Sequence, residues 1–272
     1  MADDRERWAL ILGASSGMGE ATALALARAG YQIAGIHLDF RAGLAHVEEI
    51  KGQIEAAGRQ ALFINANAAD DERRAAALAA LRERFQRSSA AGRHPYVRVL
   101  LHSLAFGSLL PLLADDPKQA ISRRQLEMTM DVMASSLVYW VQDLYRAGFL
   151  ESGSKIYALT SEGSARVVPT YGAVSAAKAA LESHCRQLAM EFARNGSGIT
   201  VNAIRAGVTM TPALMKIPEH AAIIEGGRRR NPSGRLTTTR DVADAIVSLS
   251  GDGFDWVTGN IIGVDGGEFV TG

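Results

Sequence analysis

Short apolar runs alternate with longer alanine-rich or amphipathic stretches along the chain. The short runs are bounded by glycine or polar turn residues, so they predict buried strands at Trp8–Leu12, Gln32–His37, Ala61–Asn65, Val97–Leu101, Ser154–Thr160, Ile199–Ile204 and Asn260–Val264. The longer stretches predict helices at Gly19–Arg28, Leu44–Ala57, Asp71–Phe85, Ser122–Ala147, Tyr171–Ala193 and Arg240–Ser250. This alternation predicts an α/β fold, a doubly wound parallel sheet with helices on both faces, as a single domain over residues 1–272.

One segment without clear periodicity interrupts the alternation near its end. Residues 208–235 contain Pro212, Pro218 and Pro232 together with several glycines. Long irregular segments in compact domains are often binding loops or lids. We therefore expect Val208–Arg235 to form a substrate-binding loop.

The composition narrows the class of protein. The 272 residues carry 29 Lys and Arg against 29 Asp and Glu, and this zero net charge argues against a nucleic-acid partner. The single cysteine, Cys185, excludes an internal disulfide and is interpreted as a core residue. The six histidines are scattered, so no metal site is expected. With no signal-peptide pattern and no apolar run near the ~18 residues of a membrane helix, we expect a cytoplasmic protein without membrane contact.

A glycine-rich turn follows the first predicted strand and opens a helix. It reads Gly13-Ala14-Ser15-Ser16-Gly17-Met18-Gly19. Glycines here allow a tight turn and let the backbone approach a pyrophosphate, whose charge the helix N-terminus stabilises. Such a turn also serves packing alone, but its place in the first βα unit predicts a Rossmann-type dinucleotide site. The expected cofactor contacts are Gly13, Ser15, Ser16, Gly17, Met18 and Gly19.

Residues after the second and third predicted strands bear on the choice of nucleotide. An acidic residue there would bind the ribose hydroxyls of NADH, and an arginine would favour the 2′-phosphate of NADPH. Asp39 lies slightly late for the first role, whereas His37 and Arg41 suit the second, so both cofactors stay open on these residues. Asn67 is a candidate to hold the adenine, and a simple turn residue is an equal alternative.

Several motifs together resemble the short-chain dehydrogenase/reductase family over nearly the whole chain. They are the glycine-rich turn, Tyr171-Gly-Ala-Val-Ser-Ala-Ala-Lys178, Asn202-Ala-Ile-Arg-Ala-Gly207 with Thr211, and Thr258-Gly-Asn-Ile-Ile-Gly-Val-Asp265-Gly-Gly267. The resemblance implies a Rossmann-type fold and a nicotinamide cofactor. It also implies a homotetramer or homodimer.

The tyrosine spacing departs from the usual Tyr-x3-Lys of this family. Val174 stands four residues before Lys178, and Tyr171 gives Tyr-x6-Lys instead. On a helix both spacings face one side, but the hydroxyl moves by roughly 4–5 Å along the axis. This shift suits conjugate reduction, because hydride reaches the β-carbon of an enoyl thioester while the donor must reach the more distant carbonyl oxygen. Tyr-x6-Lys is the spacing of the enoyl-acyl-carrier-protein reductases in this family.

Three further departures agree with that group. His102-Ser103 replaces the start of the usual Asn-Asn-Ala-Gly, and Met133 stands where common members have a catalytic asparagine. Ser161 takes the place of a second tyrosine found in many enoyl reductases. The combination looks most like the enoyl-acyl-carrier-protein reductase III type, which is NADPH-dependent. His102 itself is interpreted as a buried histidine and not as a catalytic acid.

The resemblance implies a role for each residue of the site. Tyr171 would donate a hydrogen bond or a proton to the enolate oxygen of a trans-2-enoyl thioester, and Ser161 would supply a second donor. Lys178 would hold the nicotinamide ribose and lower the pKa of Tyr171. Further cofactor contacts are implied for His37, Ser103, Gly207, Thr209 and Thr211.

Other functions stay open at this stage. A 3-oxoacyl or other carbonyl reductase, or an alcohol dehydrogenase, would use Tyr171 differently, and a non-catalytic NAD(P)-binding regulator would need no turnover. The sequence does not separate acyl-carrier-protein from coenzyme A thioesters and does not reveal the acyl group. Arg228-Arg229-Arg230 is interpreted as a solvated charge run, with a contact to pantetheine phosphate or an acidic carrier protein as the alternative.

Overall fold

Seven parallel strands form one sheet in this computed structural model, which describes residues 5–271. The strand order is β3-β2-β1-β4-β5-β6-β7. This arrangement confirms the predicted doubly wound fold, and each predicted strand corresponds to an observed one. The strands are β1 Arg5–Leu12, β2 Gln32–His37, β3 Ala61–Asn65, β4 His94–His102, β5 Lys155–Thr160, β6 Thr200–Ala206 and β7 Ile261–Val264.

The helices between the strands are α1 Gly17–Arg28, α2 Leu44–Ala56, α3 Asp71–Ala90, α4 Arg123–Met130, α5 Ser136–Arg146, α6 Gly172–Arg194, α7 His220–Arg230 and α8 Thr239–Leu249. The single helix predicted at Ser122–Ala147 is interrupted, because a π-helical turn at Asp131–Ser135 separates α4 from α5. A π turn of this kind is an irregularity that apolar periodicity does not reveal. Among the helices of the described residues, none is long and apolar enough to cross a bilayer.

Each face of the sheet buries its own hydrophobic core. On β1, Leu10 and Leu12 point to one core and Ala9 and Ile11 to the other, as the alternation of strand side chains requires. The first core packs against α3, α5 and α6, and the second packs against α1, α2 and α8. Because both faces are covered, the central parts of the strands are mostly apolar, which is why they could be recognised as short runs.

Residues 208–235 are more regular than predicted. The expectation of an irregular loop over Val208–Arg235 is wrong for α7 and for a 3₁₀ turn at Leu214–Lys216. The sequence pattern did not predict α7, because this helix contains two glycines and glycine is unfavourable in helix interiors. Here Gly227 packs directly on Val208: a Cβ at Gly227 would lie 2.8 Å from the Val208 Cβ. The helix therefore lies close over the carboxyl end of β6.

The turn between β1 and α1 depends on two glycines in contact. Gly13 has φ +90, and a Cβ there would lie 2.5 Å from the Ser103 carbonyl oxygen. A Cβ on Gly19 would overlap the Gly13 carbonyl oxygen. The turn and the start of α1 therefore pack backbone against backbone at the carboxyl ends of β1 and β4. In this sheet the strand order reverses between these two strands, and ligands of open α/β sheets bind at such a point.

We predict that Gly19→Ala is strongly destabilising, because its methyl group meets backbone that cannot rotate away. The free energy of unfolding, measured by urea titration, should fall by about 1–3 kcal/mol or more, the usual cost of overpacking. Gly52→Ala on α2 is the matched control, since among the described residues nothing lies within 4 Å of its Cβ position. Equal stability of the two variants would contradict the prediction.

Candidate active site

A cavity of about 290 Å³ opens at the carboxyl ends of β4, β5 and β6. Residues after β6 form part of its rim, including the 3₁₀ turn and α7. Most of the surface is apolar, and a few polar side chains converge on it, as is typical of ligand sites. The polar side chains on the wall are Ser103, Thr160, Ser161, Glu162, Tyr171, Lys178, Thr209, Thr211 and Lys216.

Lys178 brings a positive charge to the floor of this cavity. Its side chain extends from α6 to the ends of two strands, where Nζ donates a hydrogen bond to the Leu159 carbonyl at 2.7 Å and a longer one to the Leu104 carbonyl at 3.4 Å. Burial lowers the pKa of Lys178 to about 8, so the ammonium stays charged at neutral pH. An ammonium has three N–H groups, which leaves a donor for a ligand in the cavity.

Tyr171 stands at the entrance to α6. The predicted helix started at Tyr171, but the structure makes this residue the N-cap, and α6 begins at Gly172. The physical reason is the residue before it: Thr170 has φ +59, in the left-handed region, so the chain turns sharply there. Burial raises the pKa of Tyr171, and the neighbouring Ser161 hydroxyl partly opposes this shift. The hydroxyl is therefore protonated, and able to donate, at neutral pH.

Ser161 follows directly on β5 and faces the same cavity. Its backbone is extended, and a 3₁₀ turn at Glu162–Ser164 begins after it. Within residues 5–271, its buried Oγ has no hydrogen-bond partner of regular geometry, although it lies beside Tyr171. A buried hydroxyl without a partner is costly, which suits a position that awaits a ligand atom. Tyr171, Lys178 and Ser161 are thus brought together on one cavity wall.

Apolar atoms occupy the region where the family's usual tyrosine and asparagine would be. Val174 and Met133 both line the cavity, and they close around Gly107. A Cβ at Gly107 would lie 2.8 Å from Val174, Met133 and Thr129. This packing makes one part of the cavity wall tight and apolar, next to Tyr171 and Lys178 of the same helix.

The glycine-rich turn lies beside this cavity and fits a dinucleotide. The N-terminal end of α1, at Ser16, has no side-chain cap in the described structure, and Met18 and Ser103 reach the cavity wall. A Cβ at Gly17 would contact Thr211 at 3.5 Å. Side chains at Gly13 and Gly19 would meet backbone, so only glycine allows this close turn, and the helix N-terminus beside it would hold a pyrophosphate. Gly207, Thr209 and Thr211 also line the cavity and would hold the nicotinamide end of a bound cofactor.

Besides most of the glycine-rich turn, two predicted cofactor residues, His37 and Asn67, lie outside the cavity wall. The His37 ring is buried, and its Nδ1 is 2.9 Å from the Asp39 carboxylate. Asn67 is exposed and makes a turn of its own, because its Oδ1 accepts a hydrogen bond from the Ala69 N–H at 3.0 Å. The contacts of Asn67 fit the turn alternative, and a contact of either residue with the adenosine half stays a prediction.

His102 is a structural link between sheet and helix. Its Nε2 is 2.9 Å from the Ser136 hydroxyl, which itself donates to the Val132 carbonyl in the π turn. Burial and the nearby Lys178 charge lower the pKa of His102 to about 3, so the imidazole is neutral. It is a buried histidine, in line with its exclusion from the predicted catalytic set.

Sequence reasoning missed three charged residues at the edge of the cavity. Arg230, interpreted with its neighbours as solvated, instead pairs with Glu162 at 2.6 Å and with the buried Glu268 at 3.0 Å. Arg228 and Arg229 are exposed, as interpreted. No local sequence pattern predicts these ion pairs, because Glu162 and Glu268 are 68 and 38 residues away from Arg230 along the chain.

The comparisons with known proteins identify the family of this chain. A family model described as enoyl-(acyl carrier protein) reductase matches residues 13–268. A relative, the 1-cyclohexenylcarbonyl-CoA reductase of Streptomyces collinus, is 30% identical over 266 residues, which is 97% of this chain and 87% of the relative.

Solved structures give the same fold with different chemistries. The enoyl-[acyl-carrier-protein] reductase (NADH) of Aquifex aeolicus superimposes with a TM-score of 0.81 at 27% identity, covering 98% of this chain and 97% of its own. LugOII, described as a promiscuous reductase that catalyses keto-reduction at C1 in lugdunomycin biosynthesis, superimposes with a TM-score of 0.80 at 27% identity, covering 99% and 100%. This chain therefore belongs to the enoyl-(acyl carrier protein) reductase family within the short-chain dehydrogenases/reductases, a family of nicotinamide-dependent oxidoreductases.

Proposed function

We propose that this protein is an NAD(P)H-dependent enoyl-thioester reductase. The observation that carries the proposal is the replacement of the family's usual tyrosine by Val174, with Tyr171 supplying the hydroxyl from the N-cap of α6. The wall around Val174 and Met133 is apolar, as the carbon chain of an enoyl group requires. Tyr171 and Lys178 flank Val174 on the same helix, and together with Ser161 they would offer donors to a thioester carbonyl.

Each polar residue of the site has a separate role in a conjugate reduction. When bound, a reduced nicotinamide supplies a hydride, which the β-carbon of the substrate accepts. Negative charge then develops on the thioester oxygen, where Tyr171 and Ser161 offer hydrogen bonds, and preorganised donors at such a position are usually the largest catalytic contribution. Tyr171 stabilises the enolate or gives it a proton. The Lys178 charge favours both steps and holds the nicotinamide ribose.

For the cofactor we propose NADPH, with NADH as the alternative. The carboxylate that follows β2, Asp39, is already engaged by the His37 ring. Its backbone is tied to Asn65 as well, through hydrogen bonds of 3.1 and 2.8 Å. An engaged carboxylate is a poor partner for two ribose hydroxyls, whereas the exposed Arg41 suits a 2′-phosphate.

A ketoreductase is the second candidate function. It is favoured by one observation: LugOII, with nearly complete coverage, is described as a keto-reducing enzyme. Tyr171 and Ser161 would then polarise a ketone directly. A non-catalytic regulator is the third candidate, and the presence of Tyr171, Ser161 and Lys178 on one cavity wall argues against it.

The carrier of the acyl group is proposed to dock at the exposed arginines of α7. Arg228 and Arg229 lie on the helix that contributes Ile223 to the cavity wall. Guanidinium groups bind phosphate and carboxylate groups, which both a pantetheine arm and an acidic carrier protein offer.

We expect the protein to oxidise NADPH with crotonyl-CoA and not with acetoacetyl-CoA, measured as loss of reduced-cofactor absorbance. Tyr171→Phe should lower kcat by about 100-fold, since the loss of one oxyanion donor costs about 10²–10³. Ser161→Ala should lower it less, because Tyr171 remains. Tyr145→Phe, at a half-exposed tyrosine on α5, is the matched control.

Two results would contradict the enoyl-reductase proposal. One is turnover of acetoacetyl-CoA alone, which would make the protein a ketoreductase. The other is ketoreductase activity in Val174→Tyr together with full native activity in Tyr171→Phe. Cofactor binding without any consumption would favour the regulator.

The pKa of Lys178 predicts that the pH profile of kcat/KM has an alkaline limb, in which activity falls as pH rises. The ammonium is charged below about 8 and neutral above it, so kcat/KM should fall as pH rises through about 8. Tyr171 does not produce this limb, because burial raises its pKa above the usual value for tyrosine. Lys178→Arg, whose guanidinium stays charged, should move the limb to higher pH, whereas Lys51→Arg on α2 should not. An unchanged limb in Lys178→Arg would assign it to another group.

Carrier docking is tested by charge reversal on α7. Arg228→Glu combined with Arg229→Glu should raise the KM for crotonyl-acyl-carrier protein by about fivefold or more, since exposed ion pairs are each worth up to about 1 kcal/mol. The kcat should stay constant, because neither residue touches the reacting atoms. Arg87→Glu, an exposed arginine on α3, is the control. An unchanged KM would remove the docking proposal without affecting the reaction.

A further inference from the structure

Three charged side chains form a bridge at the edge of the cavity, and none of them has a role in the reduction proposed above. Arg230, at the C-terminal end of α7, lies between Glu162 and Glu268. One terminal nitrogen of its guanidinium is 2.6 Å from a Glu162 oxygen and 3.0 Å from a Glu268 oxygen. Glu268 is only 2% exposed, whereas Arg230 and Glu162 are partly exposed.

Each end of the bridge holds a different wall of the cavity. Glu162 follows Ser161 and opens the 3₁₀ turn after β5. The second oxygen of Glu268 accepts a hydrogen bond from the Val208 N–H at 3.0 Å, and Val208 lies on the wall where the nicotinamide is expected. Arg230 itself ends the helix that covers the cavity. One guanidinium therefore ties the Ser161 turn, the wall at Val208 and the covering helix together.

The bridge also sets the charge beside the reacting atoms. Glu162 lines the cavity and is next to Ser161 in the chain, so it brings a negative charge to the side of the proposed donor. Burial and Glu162 both raise the pKa of Glu268, and Arg230 and the Val208 N–H lower it. Arg166 of the same turn is 3.9 Å from Glu162.

Other charged groups near the bridge are already engaged elsewhere. Arg205 of β6 stacks on Phe269, with its guanidinium carbon 3.6 Å from the ring centroid. The Asp265 carboxylate accepts the N–H groups of Gly267 and Phe269. The guanidinium of Arg230 is therefore the main counter-charge for both carboxylates of the bridge.

We propose that Arg230 is a positioning residue of this active site. It holds Ser161 and Val208 in place, and it neutralises two carboxylates that would otherwise repel the developing enolate. The inference rests on the proposed reductase function for its effect on turnover, whereas its effect on cofactor binding is independent of the substrate. Arg230 does not touch the reacting atoms, so its contribution appears in kcat and not in the substrate KM.

The test replaces Arg230 by methionine, which keeps the length of the side chain and removes its charge. In Arg230→Met we expect kcat to fall by up to about 100-fold, because small displacements of catalytic groups have effects of this size. The KM for the thioester should stay near the wild-type value, and NADPH, followed by fluorescence titration, should bind several-fold more weakly. Arg123→Met, which breaks an exposed ion pair on α4, is the matched control and should behave as wild type.

A pH profile and a second-site change separate this role from a merely structural one. Without Arg230, Glu268 loses a charge that lowers its pKa, so it ionises at higher pH. The activity of Arg230→Met should therefore decline with rising pH over a range where the wild-type profile is flat. Glu268→Gln in the same chain removes one charge and keeps an oxygen for the Val208 N–H. The double variant should therefore regain much of the lost kcat and lose the added pH dependence.

The following results would overturn the proposal. One is a wild-type kcat and pH profile in Arg230→Met, and the other is a loss that Glu268→Gln neither restores nor makes independent of pH. Should Arg230→Met fail to fold, Glu162→Gln tests the same bridge, with a roughly tenfold loss of kcat expected and an unchanged kcat as the contradicting result. If the wild type reduces neither thioester, the proposed function fails, but NADPH titration of wild type against Arg230→Met still tests the bridge.

Discussion

The buried ammonium of Lys178 is the interaction on which the geometry of the site depends. A charge in this position costs several kcal/mol unless its hydrogen bonds are satisfied. The Leu159 carbonyl meets part of that requirement at 2.7 Å and so ties α6 to the end of β5. Ser161 lies two residues beyond Leu159, and Tyr171 lies at the N-terminal end of α6, so one hydrogen bond fixes the relation between both hydroxyls and the charge. The sheet supplies the rigid support, and the cavity is the space left above it.

The fold was largely predictable, because the central strands are buried on both faces and contain short apolar runs. The hydroxyl and ammonium groups of the cavity were found through the spacing of Tyr171 and Lys178, which depends on one helix and is therefore local. What could not be predicted is non-local or irregular. The π turn breaks a helix whose apolar pattern continues, α7 contains glycines that pack on Val208, and Arg230 finds its carboxylates only after the chain has folded.

The side chains of the cavity come from several kinds of secondary structure. Apolar contacts come from the π turn and from the first turn of α6, where Met133 and Val174 pack tightly around Gly107. The two hydroxyls come from the residue after β5 and from the N-cap of α6, and Lys178 extends from within that helix. Chain segments after β6 then close the space from above. Chemistry at the strand ends and selectivity in the later segments can therefore vary independently, which fits the different reactions of relatives with the same fold.

The backbone of Thr170, the residue before Tyr171, is strained, and this strain lowers the stability of the folded protein. A β-branched residue with φ +59 is held against its own preference, at a cost of about 1–3 kcal/mol. The folded protein carries this cost directly beside the tyrosine that it aims into the cavity. Selection for heat resistance alone would therefore favour a glycine here, since glycine adopts the same backbone angle freely. Tyr171 would then be less restricted in its position. At Thr170, a more stable fold and a more precisely placed tyrosine therefore require different residues.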